Sequence, residues 1–549
     1  MTRAEPATAH PPGARSGAHR ASTGSRLDGW WAAAPPSTHR LVRIAGPVAV
    51  LGVAAATRLI GLDEPRTLVF DETYYVKDAL SLLQLGYEGR WPDDANELFA
   101  TGTPGEPSTD AAFVAHPPLG KWMIALGLAL VGPQSPLGWR LGTAVAGIVL
   151  VALLMIVAHR LLGSLPLATL AGGFVAIDGN AIVMSRVALL DGMLAMLVML
   201  AVLFVVLDRE HSRRRLARWL AMRRFTGGTT DWGPALWARP WLIAAGAAFG
   251  LAIAVKWSAL YLFAAFAVLT VVADALDRRH AGVALWASGA LLKQAPVNAV
   301  LAVPTALAAH LATWTGWFLS SSGYDRQWIA GGGERWSGIL SWVPDDLQNL
   351  WHYQAAVYGY HVGESTPHAY EAPAIGWPLL LRPTYMHYVD RGDGTAEAIT
   401  GIPNPLLWWA SVAAVVVLVI GCLAVAVAIA RRRPARPAIA PLGSPWALAV
   451  ILTGVAAGWL PWLLYPERTM FFFYTVVITP FLMLALVVVL RAVLGGPADP
   501  ARRRRIGIAV VVSFVVAAAA LSAFFLPLWT GLAVPIDFVR LHYWLPTWI

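Results

Sequence analysis

Eleven times along this chain the sequence runs apolar for about the length that crosses a bilayer, and most of the gaps between runs are short and rich in arginine. The runs are 41–62, 137–160, 165–185, 187–207, 240–255, 257–273, 296–319, 405–430, 446–465, 469–490 and 506–529. In lipid the backbone must satisfy its own hydrogen bonds, so each run is expected to be helical. Only 13% of the residues are charged and mean hydropathy is +0.58, where soluble domains carry about 25% charged residues. The expected class is an all-α polytopic membrane protein: a single transmembrane unit over 39–549 behind a disordered cytoplasmic tail, 1–38.

The net charge of +9 reads as membrane topology and not as a nucleic-acid surface, because the arginines sit in loops between apolar runs. Five arginines before the first run, the last of them Arg40, hold the N-terminal tail inside. Segment 63–117 has eleven acidic residues against Arg66, Lys77 and Arg90, and is expected outside. The basic loop 208–239 must be inside, which needs an odd number of crossings between the two. Pro117–Val131 opens with two prolines and carries Lys121, so it is read as a helix lying in the interface. Segments 63–136, 320–404 and 530–549 then fall outside. Loop 320–404, dense in Trp, Tyr and His, is expected to form an aromatic cap at headgroup level. The single cysteine, Cys422, excludes an intrachain disulfide.

Ionisable residues near spans call for a functional explanation. Asp71 and Glu72 follow the first span in FDETYY, and either could start a helix as cap or first-turn acid. Crossing parity brings His116, Arg140, Asp178, Arg186, Asp191, Lys256 and Arg468 to the same face. Arg186 and Asp191 have the spacing of a local ion pair. Cations at that face suit a phosphate and a neighbouring carboxylate suits deprotonation of a hydroxyl. Asp71, Glu72 and His116 have no ligand-specific spacing, so no metal is expected. The pattern describes sugar transfer from a lipid phosphate.

The ordered stretches FDETYY (70–75), HPPLGKW (116–122), WRLGTAVAG (139–147), SRVALLD (185–191), VKWSALY (255–261), WPLLLRP (377–383) and YPERTMFFFY (465–474) resemble those of bacterial protein O-mannosyltransferases, in the glycosyltransferase C superfamily. The resemblance implies an eleven-span fold with juxtamembrane helices in the first outer loop. It implies transfer of mannose from polyprenyl-phosphate mannose to Ser or Thr of exported proteins, met as they leave a secretion channel. By motif, Asp71 is the expected base and Glu72 its essential neighbour. Arg140, Arg186, Lys256 and Arg468 are the expected phosphate clamp. His116, Asp178, Asp191 and Tyr474 support them, Tyr474 standing where many relatives have a His-Tyr pair. Loop 320–404 is too short for the β-trefoil domain of eukaryotic members. The rival readings are sugar transfer to a lipid or glycan, as in arabinosyl or aminoarabinosyl transferases, and a lipid-linked sugar transporter. Transporters usually place polar groups at the midplane between repeats, and neither feature is visible here.

Overall fold

A computed structural model describes residues 35–431, 442–496 and 499–548. Of the expected tail only residues 35–38 are described, and Pro36–Ser37–Thr38 already belong to the first helix, Pro36–Leu59. The basic loop with Arg432, Arg433 and Arg436 lies outside the described residues. The chain divides at Gly46. Before it stand the first turns of that helix, and the site residues all belong to the unit Pro47–Ile549.

Among the described residues eight helices have the length and apolarity to cross a membrane: Pro36–Leu59, Pro136–Leu162, Asp191–Phe225, Ala259–His280, Trp286–Ala312, Pro405–Ala430, Pro445–Leu464 and Ala501–Thr530. Leu165–Ala176 and Gly179–Arg186 form a ninth, bent by 62°. Three shorter apolar helices, Leu119–Val131, Pro240–Ile253 and Thr479–Leu494, complete the set. Several starts follow one recipe, a Ser or Asn cap with proline in the first turn. Asn404 accepts from the Leu407 amide at 3.1 Å and Ser444 from that of Ala447 at 3.2 Å.

The bend in the third run has a local cause. Asp178 interrupts the helix and caps the next segment by accepting from the Ala181 amide at 3.0 Å. Gly179 then passes so close to Trp529 and the Ile402 carbonyl that a Cβ would sit 2.0 Å and 2.3 Å from them. Helix Asp191–Phe225 outruns the expected span 187–207: Leu216 and Leu220 stay on one face and bury against Leu236 and Val283, so the helix continues through the arginine-rich stretch. The expected run 469–490 becomes helical only in part. It opens as a 3-10 turn, Phe472–Val477, and turns α at Thr479, with Pro480 in the first turn.

The all-α expectation needs one correction. Strands β1, Thr384–Asp390, and β2, Thr395–Gly401, form an antiparallel hairpin. A short third strand, β3, Val534–Pro535, pairs antiparallel with β2. The hairpin lies inside the expected outer loop, which also contains helix Asp345–Gly363.

Pro240–Ile253 packs closely on the helix Ala295–Ala312. Cβ atoms at Gly246 and Gly250 would meet the Ala302 and Ala306 carbonyl oxygens at 2.6 Å and 2.1 Å, a small-residue crossing four residues apart. This crossing supports the turn bearing Lys256. Gly250→Leu is therefore expected to overpack it by about 1–3 kcal/mol or more, seen as a lower thermal unfolding midpoint in detergent; an unchanged midpoint would mean the helices separate freely there.

Candidate active site

The site is built on the segment joining the first helix to Glu72–Leu85. Glu72 is fully buried. Its carboxylate accepts from Val69 N at 2.8 Å, Ala188 N at 2.7 Å, and Arg140 Nε and Nη2, both at 2.9 Å. The rest of the Arg140 guanidinium binds the carbonyls of Leu62 (3.3 Å), Pro65 (2.9 Å) and Thr67 (3.1 Å). Those contacts occupy all five N–H donors an arginine has.

Held in this way, the chain enters the helix through Phe70 at φ +50°, a left-handed conformation rare for a bulky residue. The Phe70 ring is fixed edge-on to Phe471 at 5.6 Å, Phe473 at 5.8 Å and His368 at 5.9 Å. Asp71 follows in a helical conformation and its side chain makes no capping bond. The capping role weighed for Asp71 is therefore not the one it plays. Burial pushes its carboxyl up to about 6, Lys256 and a hydrogen bond with Tyr75 pulling it down and Asp191 raising it.

Lys256 occupies the turn between Pro240–Ile253 and Ala259–His280. Its ammonium binds Asp191 Oδ1 at 3.1 Å and Oδ2 at 2.9 Å and stands 4.6 Å from the centre of the Tyr474 ring. Asp191 thus pairs with Lys256 and not with Arg186, because residues 187–190 leave the helix and carry Asp191 away. Arg468 donates from Nε to the His361 carbonyl at 3.0 Å, and its Nη2 stands 3.4 Å from His361 Nδ1. His361 Nε2 donates to the Ala115 carbonyl at 2.8 Å. Burial, with the charges of Arg468 and Lys256, lowers the His361 imidazole to about 4. The ring stands 5.1 Å from His116, whose buried Nδ1 has no partner. Lys121 steadies His116 by donating to its carbonyl at 3.0 Å while pairing with buried Glu88.

Lys256, Arg468, His116, His361, Trp462 and Tyr474 line one cavity of about 260 Å³. Across it the Tyr261 and Tyr465 hydroxyls stand 3.0 Å apart. Cations, neutral imidazoles and aromatic walls suit a phosphate carrying an apolar chain. The other expected site residues lie outside it. Arg186 donates to the carbonyls of Thr57 (3.2 Å), Ile60 (2.8 Å) and Gly61 (2.7 Å). Asp178 also accepts from Asn404 N at 3.1 Å. Sequence reasoning missed the parts of His361, Trp462, Tyr261 and Tyr465 in this cavity; Tyr261 and Tyr465 end and begin two of the quoted stretches, VKWSALY and YPERTMFFFY. Among the described residues no three His, Cys, Asp or Glu side chains converge as metal ligands.

Comparisons with known proteins show the family. Residues 115–230 match the family model described as dolichyl-phosphate-mannose-protein mannosyltransferase. Residues 346–548 match the C-terminal four-helix membrane region of protein O-mannosyltransferase. The chain is 31% identical over 518 residues to the polyprenol-phosphate-mannose–protein mannosyltransferase of Mycobacterium tuberculosis, covering 90% of each. It is 32% identical over 513 residues to that of Mycolicibacterium smegmatis, covering 91% of this chain and 92% of the relative. The fold matches the S. cerevisiae protein O-mannosyltransferase complex solved with its sugar donor, with TM-score 0.67, 14% identity and 94% of each chain covered. The chain belongs to the protein O-mannosyltransferase family and is a membrane glycosyltransferase.

Proposed function

We propose that this enzyme transfers mannose from polyprenyl-phosphate mannose to Ser or Thr hydroxyls of exported proteins, with Asp71 as general base. The observation that carries this reading is the half-buried Asp71 carboxylate, which makes no capping bond and stands within electrostatic reach of Lys256, which lines the cavity. The acceptor oxygen attacks the anomeric carbon as its proton passes to Asp71. The bond from that carbon to the phosphate oxygen breaks, and polyprenyl phosphate leaves with the electron pair. A single displacement of this kind inverts the anomeric centre. Neutralising the leaving phosphate lessens any need for a general acid.

Of the four cations in the expected clamp, we assign the phosphate to Lys256 and Arg468, which line the cavity. Arg140 has spent its donors on Glu72 and the 62–67 carbonyls, and Arg186 serves carbonyls of residues 57–61. Both are assigned to shaping the loop that carries Asp71. The short helices Pro240–Ile253 and Thr479–Leu494, added to eight long helices and one bent pair, support eleven crossings, with Leu119–Val131 lying in the interface. The N-terminus and Arg214 would face the cytoplasm, and the cavity, Tyr87 and His361 the outside of the cell membrane.

The direct test is transfer from labelled polyprenyl-phosphate mannose to a Ser/Thr-rich peptide, with lipid and glycan acceptors in parallel arms. Labelled peptide is the expected product; labelled lipid or glycan alone would reassign the acceptor. In the same assay Asp71→Asn is expected to lower turnover on the order of 10²–10⁴-fold while donor binding survives, since Lys256 and Arg468 are untouched. Near-normal turnover in the folded variant would remove Asp71 from the chemistry.

The pH profile follows from the same group. A base must be deprotonated, and the free Asp71 carboxyl titrates at about 6. Below that value kcat/KM is expected to fall about tenfold per pH unit, with a plateau above it. An acid limb positioned near an ordinary carboxylate value would contradict the assignment.

A further inference from the structure

The helices that carry the Glu72 and Lys256 partners, Arg140 and Asp191, and the helix that follows the Lys256 turn border a second cleft further along their length. Pro136–Leu162, Asp191–Phe225 and Ala259–His280 present Arg140, Asp191 and the Lys256 turn at one end. Toward the other side they carry Arg160 and His280 near two helix ends and Arg209 midway along Asp191–Phe225, and these line a cleft of about 510 Å³ beside Trp446 at the start of Pro445–Leu464. Asp191 and Arg209 are eighteen residues apart on one helix, roughly 27 Å at 1.5 Å per residue. That is close to the thickness of a bilayer's hydrocarbon core, about 30 Å.

The rim of the cleft is cationic. Arg209 forms two bonds to Asp277, at 3.1 Å and 2.9 Å, and its guanidinium lies 4.3 Å from the centre of the Trp446 ring. Arg213 approaches the same carboxylate only to 3.6 Å and its side chain is 62% exposed. Arg160 donates a single bond, 3.3 Å long, to Glu210. Three guanidiniums against two carboxylates leave one positive charge before His280 is counted. Arg160 and Arg213 keep N–H donors that no carboxylate uses. Below the rim the walls are side chains of the spans themselves, among them Val272, 47% exposed, and Leu276, 40% exposed.

We infer that this cleft binds an anionic phospholipid, its phosphate held by Arg160 and Arg213 and one acyl chain lying along Val272 and Leu276. Basic pockets between spans take anionic headgroups. The apolar wall continuous with the cationic rim is what favours a lipid over a free phosphate. Catalysis occupies the opposite helix ends, so the inference does not depend on the donor or acceptor assigned above.

The test uses the full-length protein purified in detergent, stripped of lipid and titrated with phosphatidylglycerol, phosphatidylcholine or inorganic phosphate. Bound lipid is counted by native mass spectrometry. Phosphatidylglycerol is expected to bind saturably and at least about tenfold tighter than phosphatidylcholine. The double variant Arg160→Gln/Arg213→Gln should weaken phosphatidylglycerol about tenfold or more. Val272→Trp fills the acyl-chain wall without touching a charge and should weaken it as well. It also serves as the second arm if the double variant is not monodisperse. Undiminished phosphatidylglycerol binding in either folded variant would overturn the site. Displacement of the lipid by equimolar inorganic phosphate would make it a free-anion site and overturn the lipid.

Discussion

A carboxylate without access to water, Glu72, meets a guanidinium equally without it, Arg140. Neither charge is tolerable alone at that depth; removing one partner of a buried pair typically costs about 3–5 kcal/mol. The pair is stable because it is saturated. Glu72 collects two backbone amides, and Arg140 collects three carbonyls from residues 62–67. It joins three separate parts of the chain: the loop after the first helix, the start of Pro136–Leu162, and the break before Asp191. This junction directs the chain into the strained turn at Phe70 and leaves the Asp71 carboxylate free of any capping bond.

Two adjacent acids therefore have opposite fates. Glu72 is consumed by structure, while Asp71 stands half-buried among Tyr75, Lys256 and Asp191. The same division runs through the cations. Arg140 and Arg186 serve backbone carbonyls, whereas Lys256 and Arg468 reach the cavity on tethers, Asp191 for one and His361 for the other. A tethered cation keeps its charge and position and still has field to offer an incoming phosphate. His361, neutral with one nitrogen toward Arg468 and the other toward Ala115, ties the helix Asp345–Gly363 to that arrangement.

Much of this was legible in the sequence, because run length and arginine placement are governed by the bilayer. Eight long apolar helices and one bent pair fall on expected runs, though several bounds differ, and the interruption around Asp178-Gly179 could be suspected from its polarity. Pairings were not legible. Glu72 and Arg140 are 68 residues apart, and no local periodicity reports such a contact. The local pairing of Arg186 with Asp191 failed because four intervening residues leave the helix. The extension to Phe225 was hidden by arginines that mask Leu216 and Leu220. The hairpin carried a signal, Asp393-Gly394 between YMHYV and TAEAIT, a turn dipeptide flanked by strand-forming runs. It was overshadowed by the aromatic content of the loop.

The central claim is that Glu72 positions and Asp71 reacts. The most direct measurement is the pH–rate profile of Glu72→Gln. If Glu72 acts through Arg140 and the loop, the variant loses turnover and stability but keeps an acid limb in kcat/KM, because the titrating base is still Asp71. A folded Glu72→Gln enzyme whose profile no longer falls at low pH would assign the titrating group to Glu72 and contradict the account.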